Sequence, residues 1–370
     1  IYLKRLSRDV GAWQHIVINN DTTQAVAANR VKFYINGELQ TVFDTHSSGG
    51  NATPFYPAED SVTINASSHT FIIGTSNADN AANAWDGYQA ETYFIDGTAY
   101  AGSDFGETKN GVWIPKDASG LTFGTNGFYL KYTNGSDLGE DFSGNNNDYT
   151  VANISAHDQM IDTPTFGSSN GGNFPTINPL FKHENMVFSE GNLKHTTSTN
   201  NRGVMCNIQI PKTGNWYWEH LSVSFNYPTD DELHGVGVNV QSVDIDASRG
   251  GRATGITYAS YNGGKSIEAD GTASYGAAWA EGDIVGVEFD ADNGTINFSK
   301  NGSFQGDISL TTAQQAKEWF PYIAMGGGTS EEVGIFNFGQ DSSFAGAKTA
   351  QTNADENGFG DFYYSPPSGA

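Results

Sequence analysis

The chain has 370 residues, of which 37% are hydrophobic and only 16% charged, with 45 Gly, 17 Tyr and 23 Phe. That length suffices for two ordinary domains, and much glycine and aromatic content beside little charge fits a turn-rich β protein and excludes a disordered one. Eighteen basic against 42 acidic residues leave a formal charge of −24, which repels a phosphate backbone over most of the surface and removes DNA and RNA from the expected partners.

The single cysteine, Cys206, permits no intrachain disulfide and no thiolate metal cluster. No run of ~18 apolar residues is present, so no membrane span is expected. The opening "IYLKRLSRDV" starts inside a strand-like pattern without methionine, as a processed or partial chain would.

In chain order, "AWQHIVINND" reads as a strand with Trp13, His15 and Val17 on one face and Ile16 and Ile18 on the other. "RVKFYINGELQTVF" reads as two strands turning at Asn36-Gly37, because a tight hairpin needs two residues tolerant of positive φ. "HTFIIGT" and "WDGYQAETYFIDG" supply further strands, completing a first sandwich over 1–102. From 103 to 183 the chain becomes dense in Gly, Asn, Asp and Pro. This reads as an irregular connector, held against the sandwiches by Phe123, Phe128, Tyr129 and Tyr132.

A second strand-rich block spans 184–345. "WYWEHLSVSF" alternates, which places Trp216 and Trp218, like Trp13, in the core. "HGVGVNV" is a buried strand, and "GDIVGVEFDADNGTINFSKNG" makes two hairpins turning at Asp292-Asn293-Gly294 and Asn301-Gly302. "TTAQQAKEWF" predicts a helix capped by Thr311 or Thr312 and ended by Pro321. Residues 346–370 form a C-terminal extension. Short strands without βαβ alternation predict an all-β protein, two tandem antiparallel β-sandwiches joined by a Gly/Asn/Pro-rich connector.

Three groups of residues could carry chemistry. Glu288, Asp290 and Asp292 occupy alternate positions, as catalytic carboxylates of sandwich glycosidases do. A retaining glycosidase needs two carboxyls ~5–5.5 Å apart, whereas i and i+4 on a strand stand ~13 Å apart, and an Asn-Gly turn follows at once. The hairpin reading prevails, and no catalytic residue is assigned. Rings beside loop glycines could stack on a sugar: Trp85 and Tyr88 in the first block, and Tyr258, Tyr261, Tyr275 and Trp279, with Asn262, in the second. Core packing is the commoner fate of such rings. His15 and His234 satisfy local hydrogen bonds, and no nucleophile elbow, phosphate loop or His-Glu-x-x-His run appears.

The segments "TGNWYWEHLSV", "HGVGV", "GDIVGVEFDADNGTINFSKNG", "WFPYIAM" and "NFGQ" resemble, in order, a SPRY domain over most of residues 205–340. That resemblance implies a bent sandwich acting as a binding module, not an enzyme. "WQHIVINNDTT", "RVKFYINGEL", "IIGTS" and "WDGYQAETYFIDG" are similar to the later strands of a laminin G-like, concanavalin A-like sandwich. This second resemblance offers Asp79, Asp86 and Asp96 as candidates for a structural calcium, but no compact Asp-rich loop supplies the six to eight oxygens calcium needs, so solvated turn aspartates are the expected reading. Otherwise no cofactor is expected.

The two modules in this order resemble the structural proteins of bacteriophages, especially marine ones. That implies a non-enzymatic virion surface protein, a tail-fibre or appendage adhesin that binds a host-surface glycan or protein, repeated as a homo-oligomer such as a trimer. The alternatives are a passive subunit binding other virion proteins and a polysaccharide depolymerase.

Overall fold

The computed structural model describes residues 3, 5, 7, 12–43, 56–62, 71–75, 85, 87–159, 174–197, 202–224, 234–245, 253–325 and 331–370. The chain divides into two compact units, one of residues 1–159 with 163–167, the other of 160–162 with 168–370. The regular structure of the described residues is almost wholly antiparallel β-strand, as composition required.

In the first unit, β1 (Ile16–Asn20), β2 (Val31–Ile35) and β3 (Glu38–Leu39) form an antiparallel sheet. Asn36 (φ 49°) and Gly37 (φ 76°) make the hairpin between β2 and β3 in the left-handed conformations that Asn-Gly predicts. Gly37 is needed twice over, because any Cβ there would strike the Trp113 ring. Trp13 remains 37% exposed and does not join the core. The "HTFIIGT" prediction falls partly outside the described residues, and the described part carries no named strand.

The turn-rich stretch after residue 102 supplies the one-turn helix α1 (Gly102–Phe105), the β5 (Gly106–Lys109) and β6 (Val112–Pro115) hairpin, and β7 (Phe128–Leu130). β7 pairs with β4 (Thr92–Phe94), setting Phe94 opposite Phe128. The Tyr93, Phe123 and Tyr129 rings stack. Asp141 then organises the Asn-rich loop by accepting the backbone N–H groups of Tyr129, Ser143 and Asn147. Those bonds outweigh its burial and hold its carboxyl below the usual range.

In the second unit, one sheet runs β10 (Arg202–Met205), β20 (Trp319–Met325), β12 (Gly235–Val240), β13 (Ile256–Ala259), β14 (Lys265–Ile267), β15 (Thr272–Ala273). The other runs β18 (Ser303–Phe304), β17 (Thr295–Lys300), β16 (Ile284–Asp290), β11 (Asn215–Ser224), β21 (Glu332–Asn337), β9 (Lys194–Thr197), β8 (Val187–Ser189), with β19 (Ile308–Ser309) also on β17. The larger hydrophobic core among the described residues joins the two sheets through Trp218, Val287, Phe298 and Phe336 on one side and Val236, Tyr258 and Ile323 on the other.

Period-2 alternation sends Trp218 into that core, so Tyr217 and Glu219 take the outer face of β11. Trp216 ends 40% exposed, its indole N–H bonding the Thr213 carbonyl, which corrects its placement in the core. The predicted helix is a single turn, α2 (Thr312–Gln315), with Thr311 as its cap. The following "WFPYIAM" is strand, with Trp319, Tyr322 and Ile323 buried and Pro321 opposite Val238. Burying those side chains between β10 and β12 outweighs local helix propensity.

Candidate functional site

Glu288 and Asp290 lie near the end of β16. Asp290 caps the turn, accepting both the backbone N–H and the side-chain amide of Asn293 at 2.9 and 2.6 Å. Glu288 accepts the Asn215 amide at 2.9 Å. Burial pushes the Glu288 carboxyl up, with Asp307 and Asp290 adding to the effect. Asp307 is itself held by the Asn297 amide at 2.8 Å. The Asp290 contacts are those of a capped hairpin turn, at the place where the Asn-Gly pair predicts one.

The proposed sugar-stacking residues scatter. Tyr258 is fully buried and Trp279 only 3% exposed, so neither ring offers a face to a ligand; both are core residues. The half-buried Tyr275 packs edge-on to Tyr258 and Phe298, and its hydroxyl receives the Phe298 N–H at 3.1 Å. Tyr261 is 49% exposed and Asn262 is exposed, side by side on a turn whose Gly264 N–H the Asn262 side chain accepts. Trp85 and Tyr88 are also exposed, in the first unit. Of the calcium candidates, Asp79 and Asp86 lie outside the described residues. Asp96 already takes both the backbone and side-chain N–H groups of Asn126. Among the described residues no group of three or more His, Cys, Asp or Glu side chains could hold a metal ion.

One end of the second unit is unusually polar beneath its surface. His195 and His220, both fully buried, meet through their Nε2 atoms at 3.0 Å with rings near parallel. Gly334 lies between them, and a Cβ there would run into both ring nitrogens. Burial holds His195 down to about 3 and His220 well below the ordinary histidine range, so both stay neutral and one donates to the other. At the same end His234 Nδ1 lies 3.6 Å from Glu332 Oε2, and its ring meets Trp279 edge-on. Above them the Ser260 N–H bonds the His234 carbonyl and the Trp279 N–H bonds the Ser260 carbonyl. These bonds fix a rim on which Tyr261, Asn262, Ala277, Ala278, Ala280 and Glu281 are exposed.

A second constellation occupies the outer face of β11. The Glu219 carboxylate, fully buried, receives four donors: the Tyr217 hydroxyl (3.1 Å) and Tyr364 N–H (2.7 Å) on Oε1, and the Asn337 amide (3.1 Å) and Tyr363 N–H (2.9 Å) on Oε2. Four donors fill the acceptor sites of one carboxylate. Desolvation nevertheless dominates and pushes the group up to about 7, with the donors opposing. The sequence held a signal for this site, since Glu219 is the one carboxylate in an otherwise buried strand. Neither its partners in the C-terminal extension nor the meeting of His195 and His220 could be read from spacing.

Comparison with known proteins places the second unit. The SPRY domain family model matches residues 215–341. Protein ssh4 of Aspergillus fumigatus is 27% identical over 154 residues, 41% of this chain and 29% of that protein. Protein SSH4 of Coccidioides immitis is 28% identical over 138 residues, 37% of this chain and 26% of that protein. The chain thus spans less than a third of the length of these curated relatives. Among solved structures, the SPRY domain of human HERC1 is 18% identical, covering 43% of this chain and 96% of that one with a TM-score of 0.34. The stonustoxin structure is also 18% identical, covering 44% and 27% with a TM-score of 0.33.

The curated relatives are fungal proteins, which overturns the expectation of a phage virion protein. The tail-fibre adhesin, the passive virion subunit and the place on a phage particle fall together. They rested on the order of two modules, and sandwich modules recur in unrelated proteins. Residues 215–341 of this all-β chain are a SPRY domain.

Proposed function

We propose that the second unit is a non-enzymatic module that binds another protein, through the rim at its His234 end. The observation that carries this reading is the SPRY match over residues 215–341. The rim supports it: Tyr261 and Asn262 present an aromatic ring and an amide on a rigid turn, next to small residues that let a partner approach closely. Aromatic anchors of this kind concentrate binding energy at protein interfaces. The backbone bonds from Ser260 to His234 and from Trp279 to Ser260 hold the rim in shape.

The test is reciprocal capture of a discrete partner with the full chain. Tyr261→Arg is expected to weaken that complex at least tenfold, while Val187→Arg, on the edge strand β8, leaves it unchanged. Equal loss from both substitutions, or none from Tyr261→Arg, would overturn the rim as the contact. Hydrolysis of a polysaccharide by the pure chain, abolished by Glu288→Gln, would overturn the non-enzymatic reading. The module is also proposed to work without a metal, so EDTA should leave both its melting temperature and partner capture unchanged.

A further inference from the structure

The C-terminal extension makes an ordered return across the second unit. Asn353 and Phe362 exchange backbone hydrogen bonds at 3.0 and 2.7 Å, and the Asp355 side chain caps the loop between them through the Asn357 and Phe359 N–H groups. The returning arm lies on the outer face of β11 and β21. There the Asp361 N–H bonds the Gly339 carbonyl, and the Asn337 amide bonds the Asp361 carbonyl.

Phe362, 5% exposed, packs its ring 5.3 Å from that of Tyr217. The chain then bends, and the successive N–H groups of Tyr363 and Tyr364 converge on the two oxygens of Glu219. Two consecutive backbone N–H groups closing on an anion form a nest, a recurrent way of recognising carboxylates.

Three features separate this contact from ordinary chain packing. Glu219, Tyr217 and Asn337 belong to the SPRY match at 215–341, whereas the arm lies beyond it. The arm is held at Glu219 by its backbone N–H groups and beside it by Phe362, while Tyr363 and Tyr364 pack only part of their side chains against the core and keep the rest at the surface. Finally, a carboxylate this deeply buried is costly to leave without donors. If the arm leaves, water or another pair of N–H groups must take its place at the two oxygens.

We propose that the outer face around Glu219 is a peptide dock, occupied in cis by this chain's own arm and open to a partner-protein segment of the same chemistry. That segment is an aromatic residue followed by two residues in a bend, neither of them proline, since both N–H groups are required. The arm is then an autoinhibitory strap, and the dock is a site distinct from the rim. Its failure would leave the rim contact standing, and the reverse also holds.

The test removes the two N–H groups without touching the dock. In the full chain, Tyr363→Pro with Tyr364→Pro should free the arm. A fluorescent peptide of residues 352–370 should then bind the double variant at least tenfold more tightly than the unaltered chain. Adding Glu219→Ala to the double variant should abolish that binding, and a peptide with proline at both tyrosine positions should not bind. Equal binding to the double variant and the unaltered chain, or no binding to either, would overturn the proposal. So would a double variant that has lost its cooperative melting transition, because the arm would then be an inseparable part of the core.

Discussion

Replacing Glu219 by glutamine tests whether desolvation or hydrogen bonding governs the buried carboxylate. The group is fully buried, and its pKa is about 7 in the fold against an ordinary 4.5. At about 1.4 kcal/mol per pH unit, that gap corresponds to about 3 kcal/mol of pH-dependent stability. The sign follows from proton binding. The folded chain holds a proton that the unfolded chain releases, so this contribution is full below pH 4.5 and lost as the pH rises through 7.

The glutamine side chain in Glu219→Gln would remain neutral throughout and would set its own N–H groups against two of the four donors, a pH-independent cost of about 1–3 kcal/mol. Urea unfolding of both chains at pH 5 and pH 8 separates the two effects. The advantage of the native chain over Glu219→Gln should shrink by about 2–3 kcal/mol between those pH values, because the contribution is already slightly reduced at pH 5. An advantage that is constant, or that grows with pH, would refute the reasoning. It would mean that the four donors outweigh desolvation and hold the carboxyl at or below its ordinary range.

The buried histidines titrate in the opposite sense. Burial holds His195 down to about 3 against an ordinary 6.5, so the stability it gives is complete above pH 6.5 and is lost as the pH falls toward 3. Urea midpoints measured in the Glu219→Gln background should therefore fall steadily below pH 6.5. Gly334→Ala would force a methyl group between the His195 and His220 rings. It should cost about 1–3 kcal/mol by overpacking, read as a lowered urea midpoint with an unchanged slope. Phe298→Ala, which empties a fully buried site in the core, should cost about 3–5 kcal/mol in the same assay. In the first unit, Gly37→Ala meets both a φ of 76° and the Trp113 ring, and should lower the thermal midpoint by several degrees.

Much of the architecture was legible in the chain itself because its signals are local. Asn36-Gly37 and Asn301-Gly302 each need two adjacent positive φ angles, and each turns its hairpin where the sequence predicts. Alternation along β11 and β16 set the faces, and the Asn-Gly turn after Asp292 identified the acidic row as a capped hairpin. What failed were inferences in which a local preference competes with burial. "KEWF" carries helical propensity, yet it enters a central strand because Trp319 and Tyr322 are buried there. Tyr258 and Trp279 stand beside loop glycines, yet their rings point inward.

The candidate sites show the same division more sharply. By itself the sequence determined an acidic, all-β chain, the hairpin registers and the SPRY resemblance, since each depends on residues within a few positions of one another. Only the tertiary structure decided that His195 meets His220 across Gly334, and that Glu219 receives the backbone of residues 363 and 364. Those groups are separated by as many as 145 positions. They meet because strands far apart in sequence are neighbours in one sheet, and because a buried charge is tolerated only where the fold brings donors to it.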